Sequence, residues 1–109
     1  MATWFELGKG NDGQHRFALK NDGGTLLHSE GYDAKASAQN GIASVQTNAP
    51  QAARYERKTA ANGRHFFNLK AGNGQVIGTS PLFGDEAARE AAIAATQAGA
   101  ATAALKDAG

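Results

Sequence analysis

The segment Gly13-Gln14-His15-Arg16-Phe17-Ala18-Leu19-Lys20 returns fifty positions later as Gly63-Arg64-His65-Phe66-Phe67-Asn68-Leu69-Lys70. Five of the eight residue types are identical in register: Gly, His, Phe, Leu and Lys. A match this dense, flanked by further matches, marks an internal duplication. It constrains the fold more than any other feature, because each half must then fold the same way.

Each half carries the same order of signals. Phe5 and Leu7 alternate with Trp4, Glu6 and Gly8, the period-two pattern of a strand. Gly10-Asn11-Asp12-Gly13 supplies turn chemistry, Gln14 to Lys20 a second strand, Asn21-Asp22-Gly23-Gly24 another turn, and Thr25 to Ser29 a third strand. The period then becomes helical. Asp33 is placed to cap a helix from about Ala34 to Thr47, with Ala38, Gly41, Ile42 and Val45 on one stripe. Gly41 on that stripe predicts close approach of helix to sheet. Asn48-Ala49-Pro50 ends the first unit.

The second half repeats this. A strand is expected from about Ala53 to Thr59, a hairpin at Asn62-Gly63, and strands over Arg64 to Lys70 and Gln75 to Thr79. One residue is inserted near Pro81, since Phe83 answers Tyr32 and Ile93 answers Ile42 at a spacing of fifty-one. Asp85 caps a second, Ala-rich helix from about Glu86 to Ala98, and Gly99 is a plausible stop. The tail, residues 100–109, either adds a short strand or frays.

The chain is therefore read as one α+β domain over residues 1–109. Repeat one spans about residues 3–49 and repeat two about residues 53–99. Half a sheet and one helix cannot bury a core alone. Two tandem βββα repeats can share one antiparallel sheet, with both helices on one face and an approximate two-fold axis inside the chain. This is the logic of an isologous dimer fused into one polypeptide, and it predicts a monomer.

Parity assigns the two faces of the sheet. Odd positions (Phe5, Leu7, Phe17, Leu19, Tyr55, Phe67, Leu69) lie under the helices. Even positions form the wetter face, where six basic residues stand against two acidic ones, with Trp4 and Phe66 on the same side. Two readings follow. Trp4, Arg16, Lys20, Arg64, Phe66 and Lys70 form a platform for single-stranded nucleic acid, rings stacking bases and cations meeting phosphates. Or the face is ordinary solvated sheet, its aromatics packed on Lys and Arg stems.

Several chemistries are excluded or weak. There is no cysteine, so disulfides, thiol catalysis and thiolate metal sites are out. Net charge is +1, which gives no global field for nucleic acid or membrane. The first residues lack a basic region and an apolar run, so no signal peptide or membrane span is expected, and the cytoplasm is the default compartment. Gly8-Lys9-Gly10-Asn11-Asp12-Gly13 fits G-x-G-x-x-G, but a strand follows it where a dinucleotide site needs a helix. His15 and His65 are repeat equivalents that would have to meet to hold a metal. Neither has a carboxylate of its own parity nearby. Glu6 and Glu56 are a formal carboxylate pair, better explained by cross-strand ion pairs than by acid–base work. No catalytic residue, cofactor or metal site is assigned. A protein partner at a sheet edge, and a small ligand or enzyme site at the seam between repeats around His15 and His65, remain open.

Trp4-Phe5-Glu6-Leu7, Arg16-Phe17-Ala18-Leu19-Lys20, Gly41-Ile42-Ala43-Ser44-Val45-Gln46-Thr47-Asn48, Arg54-Tyr55-Glu56 and Phe66-Phe67-Asn68-Leu69-Lys70 resemble the YegP-like family of small bacterial proteins. The resemblance covers about residues 3–98. It weakens in the second helix, where Ala92-Ile93-Ala94-Ala95-Thr96 stands in place of Gly-Ile-Ala-Ser-Val. It implies tandem βββα repeats around one sheet, with C-terminal strand exchange that gives the tail near Leu105 a structural role. The family is one of unknown function, so the resemblance implies no catalytic or binding residues. The overall reading is a non-enzymatic binding or structural module.

Overall fold

The computed structural model describes residues 3–107; Met1 and the last two residues of the tail, with Ala2, lie outside the described residues. The strands are β1 (Thr3–Lys9), β2 (His15–Asn21), β3 (Gly24–His28), β4 (Tyr55–Thr59), β5 (His65–Lys70), β6 (Val76–Thr79) and β7 (Ala104–Asp107). The helices are α1 (Lys35–Asn48) and α2 (Glu86–Gly99), with short 3-10 turns at Ala52–Arg54 and Ala100–Thr102. The seven strands form one sheet in the order β4-β5-β6-β3-β2-β1-β7.

The pseudo-two-fold passes between β3 and β6. There His28 and Thr79, which are repeat counterparts, lie directly opposite each other in an antiparallel pair. Tyr32 and Phe83 are bridged in the same way to His15 and His65. The two hairpins close alike: the Gly13 amide donates to the Gly10 carbonyl and the Gly63 amide to the Ala60 carbonyl. Gly13 and Gly63 sit at φ +80° and +82°, a conformation that side chains rarely adopt.

Parity holds. Phe5, Leu7, Phe17, Leu19, Tyr55, Phe67 and Leu69 are buried, and Ala38, Ile42, Val45, Ala92 and Ile93 join them in the same core. A bulge between Leu19 and Lys20 sets Lys20 opposite Thr25 and Leu19 opposite Leu27, leaving Leu26 as the extra residue. That is why two consecutive leucines are both buried in a strand. β5 and β6 carry the same bulge between Leu69 and Lys70.

Five details differ from the sequence expectations. The sheet is mixed, because β7 runs parallel to β1. This is the strand exchange that the family resemblance implies: repeat two closes the edge of repeat one. β4 begins at Tyr55, after a 3-10 turn over Ala52–Arg54. The extra residue lies in the β5–β6 turn, not near Pro81: Lys70 pairs with Val76, whereas Lys20 pairs with Thr25. Asp33 does not cap α1, whose N-cap is Ala34 with no side-chain bond; the Asp33 carboxylate accepts from Gln14 Nε2 instead. Asp85 does cap α2, accepting from the Ala88 amide at 2.8 Å. Gly99 is the last residue of α2 rather than the stop.

At the axis the repeats cannot be identical. Leu27 and Gly78 occupy equivalent places, opposite Leu19 and Leu69 respectively. A β-carbon built on Gly78 would stand 2.6 Å from Leu27 Cδ2 and 2.7 Å from its Cγ. Leu27 is fully buried and fills the space that a side chain at 78 would need. A second inequality is at the helices. A β-carbon on Gly41 would lie 2.8 Å from the Tyr32 hydroxyl and 2.9 Å from Phe17 Cε2. Repeat two has Ala92 and Phe83 in those places, one methyl more and one hydroxyl fewer.

Gly41→Ala should therefore lose about 1–2 kcal/mol in urea unfolding despite the better helix propensity of alanine. Adding Tyr32→Phe should return part of that loss. A gain in stability from Gly41→Ala alone would contradict the close packing.

Candidate functional site

The helix-free face of the sheet carries most of the polar chemistry. β1 and β2 set Trp4 opposite Lys20 and Glu6 opposite Ala18. The Trp4 indole Nε1–H donates to Glu6 Oε2 at 2.8 Å, and Lys20 Nζ stands 3.2 Å from Glu6 Oε1. Lys106 of β7 lies over the Trp4 ring, 4.5 Å from its centroid. Those contacts hold the Glu6 carboxyl below its ordinary range, the indole hydrogen bond first and Lys20 second. Repeat two builds a parallel cluster. Glu56 accepts from Lys70 Nζ at 2.9 Å and from Asn68 Nδ2 at 3.1 Å, which lowers its carboxyl too. Asn68 in turn accepts from the Thr79 hydroxyl.

The six residues expected to form one platform are not brought to one place. Trp4 and Lys20 are neighbours, but one face of the ring is already covered by Lys106. Arg16 lies toward the opposite end of β2, locked to Asp12 at 2.8 Å. That pairing, with the Gln14 amide, draws the Asp12 carboxyl down to about 2. Lys70 is held by Glu56. What remains is a smaller group in repeat two. Phe66 is half-buried, its cross-strand partner is Lys58, and Arg64 precedes it by two residues. Lys58 and Arg64 are both exposed, and neither makes an ion pair among the described residues. Lys58 was not among the expected six; its pairing with Phe66 across the hairpin is what the parity count alone did not show.

An open groove of about 470 Å³ runs along the same side, with Glu6, Gly8, Arg16, Ala18, Lys20 and His28 among its lining. A second depression of about 370 Å³ shares His28 and Ser29 with it and reaches Val76 and Thr79, so the two meet at the boundary between repeats.

That boundary does not contain His15 and His65. They begin β2 and β5, which are separated by β3 and β6 and run in opposite directions, so the two rings sit at opposite ends of the sheet. The expectation of a seam site around these histidines is corrected accordingly. Each is half-buried with its Nδ1 buried and unpartnered, and no group of three or more metal-ligating side chains occurs among the described residues.

Two buried serines escaped the sequence reading. Ser29 Oγ accepts from the Phe17 amide and donates to the Glu30 carbonyl; Ser80 does the same for the Phe67 amide and the Pro81 carbonyl. They satisfy backbone groups where each third strand leaves the sheet. Their spacing of fifty-one was the available signal.

The model of a domain of unknown function, DUF1508, matches the chain twice, over residues 11–56 and 60–107. The chain belongs to the DUF1508 family. Among its relatives, the UPF0339 protein YegP of Escherichia coli K12 is 51% identical over 108 residues, 98% of each chain. A UPF0339 protein of Acinetobacter baylyi is 50% identical, covering 98% of this chain and 97% of its own. The solution NMR structure of yegP from E. coli, a protein of unknown function, superposes with a TM-score of 0.91 at 50% identity over 99% of this chain and 94% of that one. A UPF0339 protein from Shewanella oneidensis gives 0.91 at 44% identity over 98% and 92%. The YegP-like resemblance is thus borne out. Each DUF1508 match begins in the turn before the second strand of a repeat and runs through the helix into the strand that follows it, β4 in one case and β7 in the other.

Because Glu6, Glu56 and Asp12 are lowered in the folded chain, the unfolded chain takes up protons first as pH falls. Their contribution to stability is present above their ordinary values, 4.5 for the glutamates and 3.8 for Asp12, and disappears as pH drops through the lowered ones. Unfolding followed against pH should show stability falling below pH 4.5, and a Glu6→Gln/Glu56→Gln variant should flatten the upper part of that fall. An unchanged profile in the variant would remove these pairs from the account.

Proposed function

We propose that this chain is a non-enzymatic binding module, acting as a cytoplasmic monomer, whose contact point is the repeat-two half of the helix-free face. The observation that supports this most is the disposition of charge. Arg16, Lys20 and Lys70 are engaged by carboxylates, which leaves Lys58 and Arg64 flanking the half-buried ring of Phe66. An aromatic ring between two exposed cations that form no direct ion pair among the described residues suits an unstacked base with its neighbouring phosphates. Single-stranded nucleic acid is therefore the ligand class the reading favours, bound weakly because one ring and two cations give little area. Glu6 and Glu56 support the non-enzymatic part. Both are held ionised by similar partners, whereas acid–base catalysis needs two groups whose environments push them apart. No helix among the described residues is long and apolar enough to cross a membrane.

Titration of labelled protein with a short mixed-sequence single-stranded RNA, at low and at raised salt, tests this. Amide shifts centred on Lys58, Arg64 and Phe66 and weakened by salt are expected. No shifts at either salt, or shifts centred on Trp4, would overturn it.

A further inference from the structure

Leu82 is an apolar side chain that the core does not use. It is 47% exposed and stands outside the buried cluster, yet its backbone is held in place. The Ser80 amide donates to the Phe67 carbonyl at 2.9 Å, and Phe83 exchanges both backbone bonds with His65. Residues 81–82 therefore pass alongside Phe66 of β5. The buried Ser80 hydroxyl donates to the Pro81 carbonyl, and the proline ring fixes a further dihedral, so the segment is ordered in advance of any contact.

Repeat one shows which face position 82 looks to. Its counterpart there is Gly31, and the counterparts of Arg64 and Phe66 are Gln14 and Arg16. A β-carbon built on Gly31 would run into the Gln14 side chain and stand 3.0 Å from Arg16 Nη2. Both of those residues belong to the helix-free face, so Leu82 lies on that face beside Arg64 and Phe66. The two copies fill the place differently. In repeat one the glycine leaves it to a polar pair, with Arg16 bonded to Gln14 and to Asp12. In repeat two an aliphatic side chain and a ring share it, and Pro81 stands where repeat one has Glu30. The apolar floor is thus two side chains wide, with the exposed Lys58 and Arg64 at its margin.

We infer that Leu82 widens the stacking surface of Phe66 and makes the site prefer a purine base to a pyrimidine. This rests on the single-stranded nucleic-acid reading proposed above. A pyrimidine is covered by the ring of Phe66 alone. The second ring of a purine reaches beyond it, and Leu82 gives that ring an apolar contact in place of water.

Two tetranucleotides test it, each with one base among abasic positions, adenine in one and uracil in the other. They carry the same phosphates, so charge cancels from the comparison. Each is titrated at low salt into the labelled full chain while the amides of residues 64–66 and 82–83 and the Leu82 methyls are followed. The adenine strand should bind roughly fivefold more tightly, the gain that about 40 Å² of extra apolar contact supplies, and should move the Leu82 methyls more than uracil does. In Leu82→Ala the uracil strand should keep its affinity, and the adenine strand should fall to within about twofold of it. Leu82→Met, which keeps the apolar reach, should retain the preference. Equal binding of the two strands at Phe66, or a preference undiminished in Leu82→Ala, would overturn the role of Leu82 and leave the stacking site standing. Shifts at Phe66 from neither strand would overturn the stacking site itself, and this inference with it.

Discussion

Leu27 lying over Gly78 is the contact on which the rest of the arrangement depends. The two residues hold equivalent places on either side of an internal two-fold, and there is room for only one side chain between them. In a symmetric dimer of single repeats both places would carry the same residue, giving either a clash or a void. Fusing the repeats lifts that restriction. One leucine fills the centre, and β3 and β6 then approach closely enough for His28 and Thr79 to pair. The same freedom shows in the Tyr32–Gly41 and Phe83–Ala92 pairs, where volume has been shifted from ring to helix while each helix still packs on its sheet.

Fusion also makes the outer edges unequal. An isologous dimer would treat both ends of the sheet alike. Here the C-terminal strand closes one end, and the linker uses up the segment that would close the other. Charge follows the same division. On the closed side Lys35 pairs with Asp107 and Lys106 lies over Trp4, whereas Glu86 and Arg54 hold the equivalent places on the open side. On the helix-free face, repeat one spends its cations on internal pairs, while repeat two retains Lys58 and Arg64 beside Phe66. The duplicated parts build the scaffold, and the differences between copies set its two edges and the two halves of its open face apart.

Much of this was legible in the residues. The repeated octapeptide set the architecture, parity set the two faces, and Gly41 announced the close helix contact. What was not legible depends on partners distant in sequence. Asp33 and Asp85 look alike as caps, but Asp85 is the N-cap of α2 while the equivalent N-cap of α1 is Ala34; Asp33 stands one residue earlier and accepts from Gln14 instead. Leu26 and Leu27 break the alternation because of a bulge that only pairing with β2 reveals. The Ala-rich tail is too short and too plain to show a strand, and its direction follows from where α2 ends. The six residues of the expected platform share a parity, which fixes the face but not the distance along it, so Arg16 and Trp4 fall toward opposite ends of the same hairpin.

The most direct test of the shared centre is a double-mutant cycle in urea between Leu27→Gly and Gly78→Leu. Leu27→Gly alone should cost about 3 kcal/mol or more by leaving a cavity, and Gly78→Leu alone about 1–3 kcal/mol by overpacking. The double exchange moves the single leucine to the other repeat, and it should recover at least about 2 kcal/mol relative to the sum of the two. Losses that simply add would mean that the two positions do not share one space, and the account of a two-fold centre filled from one side would be wrong.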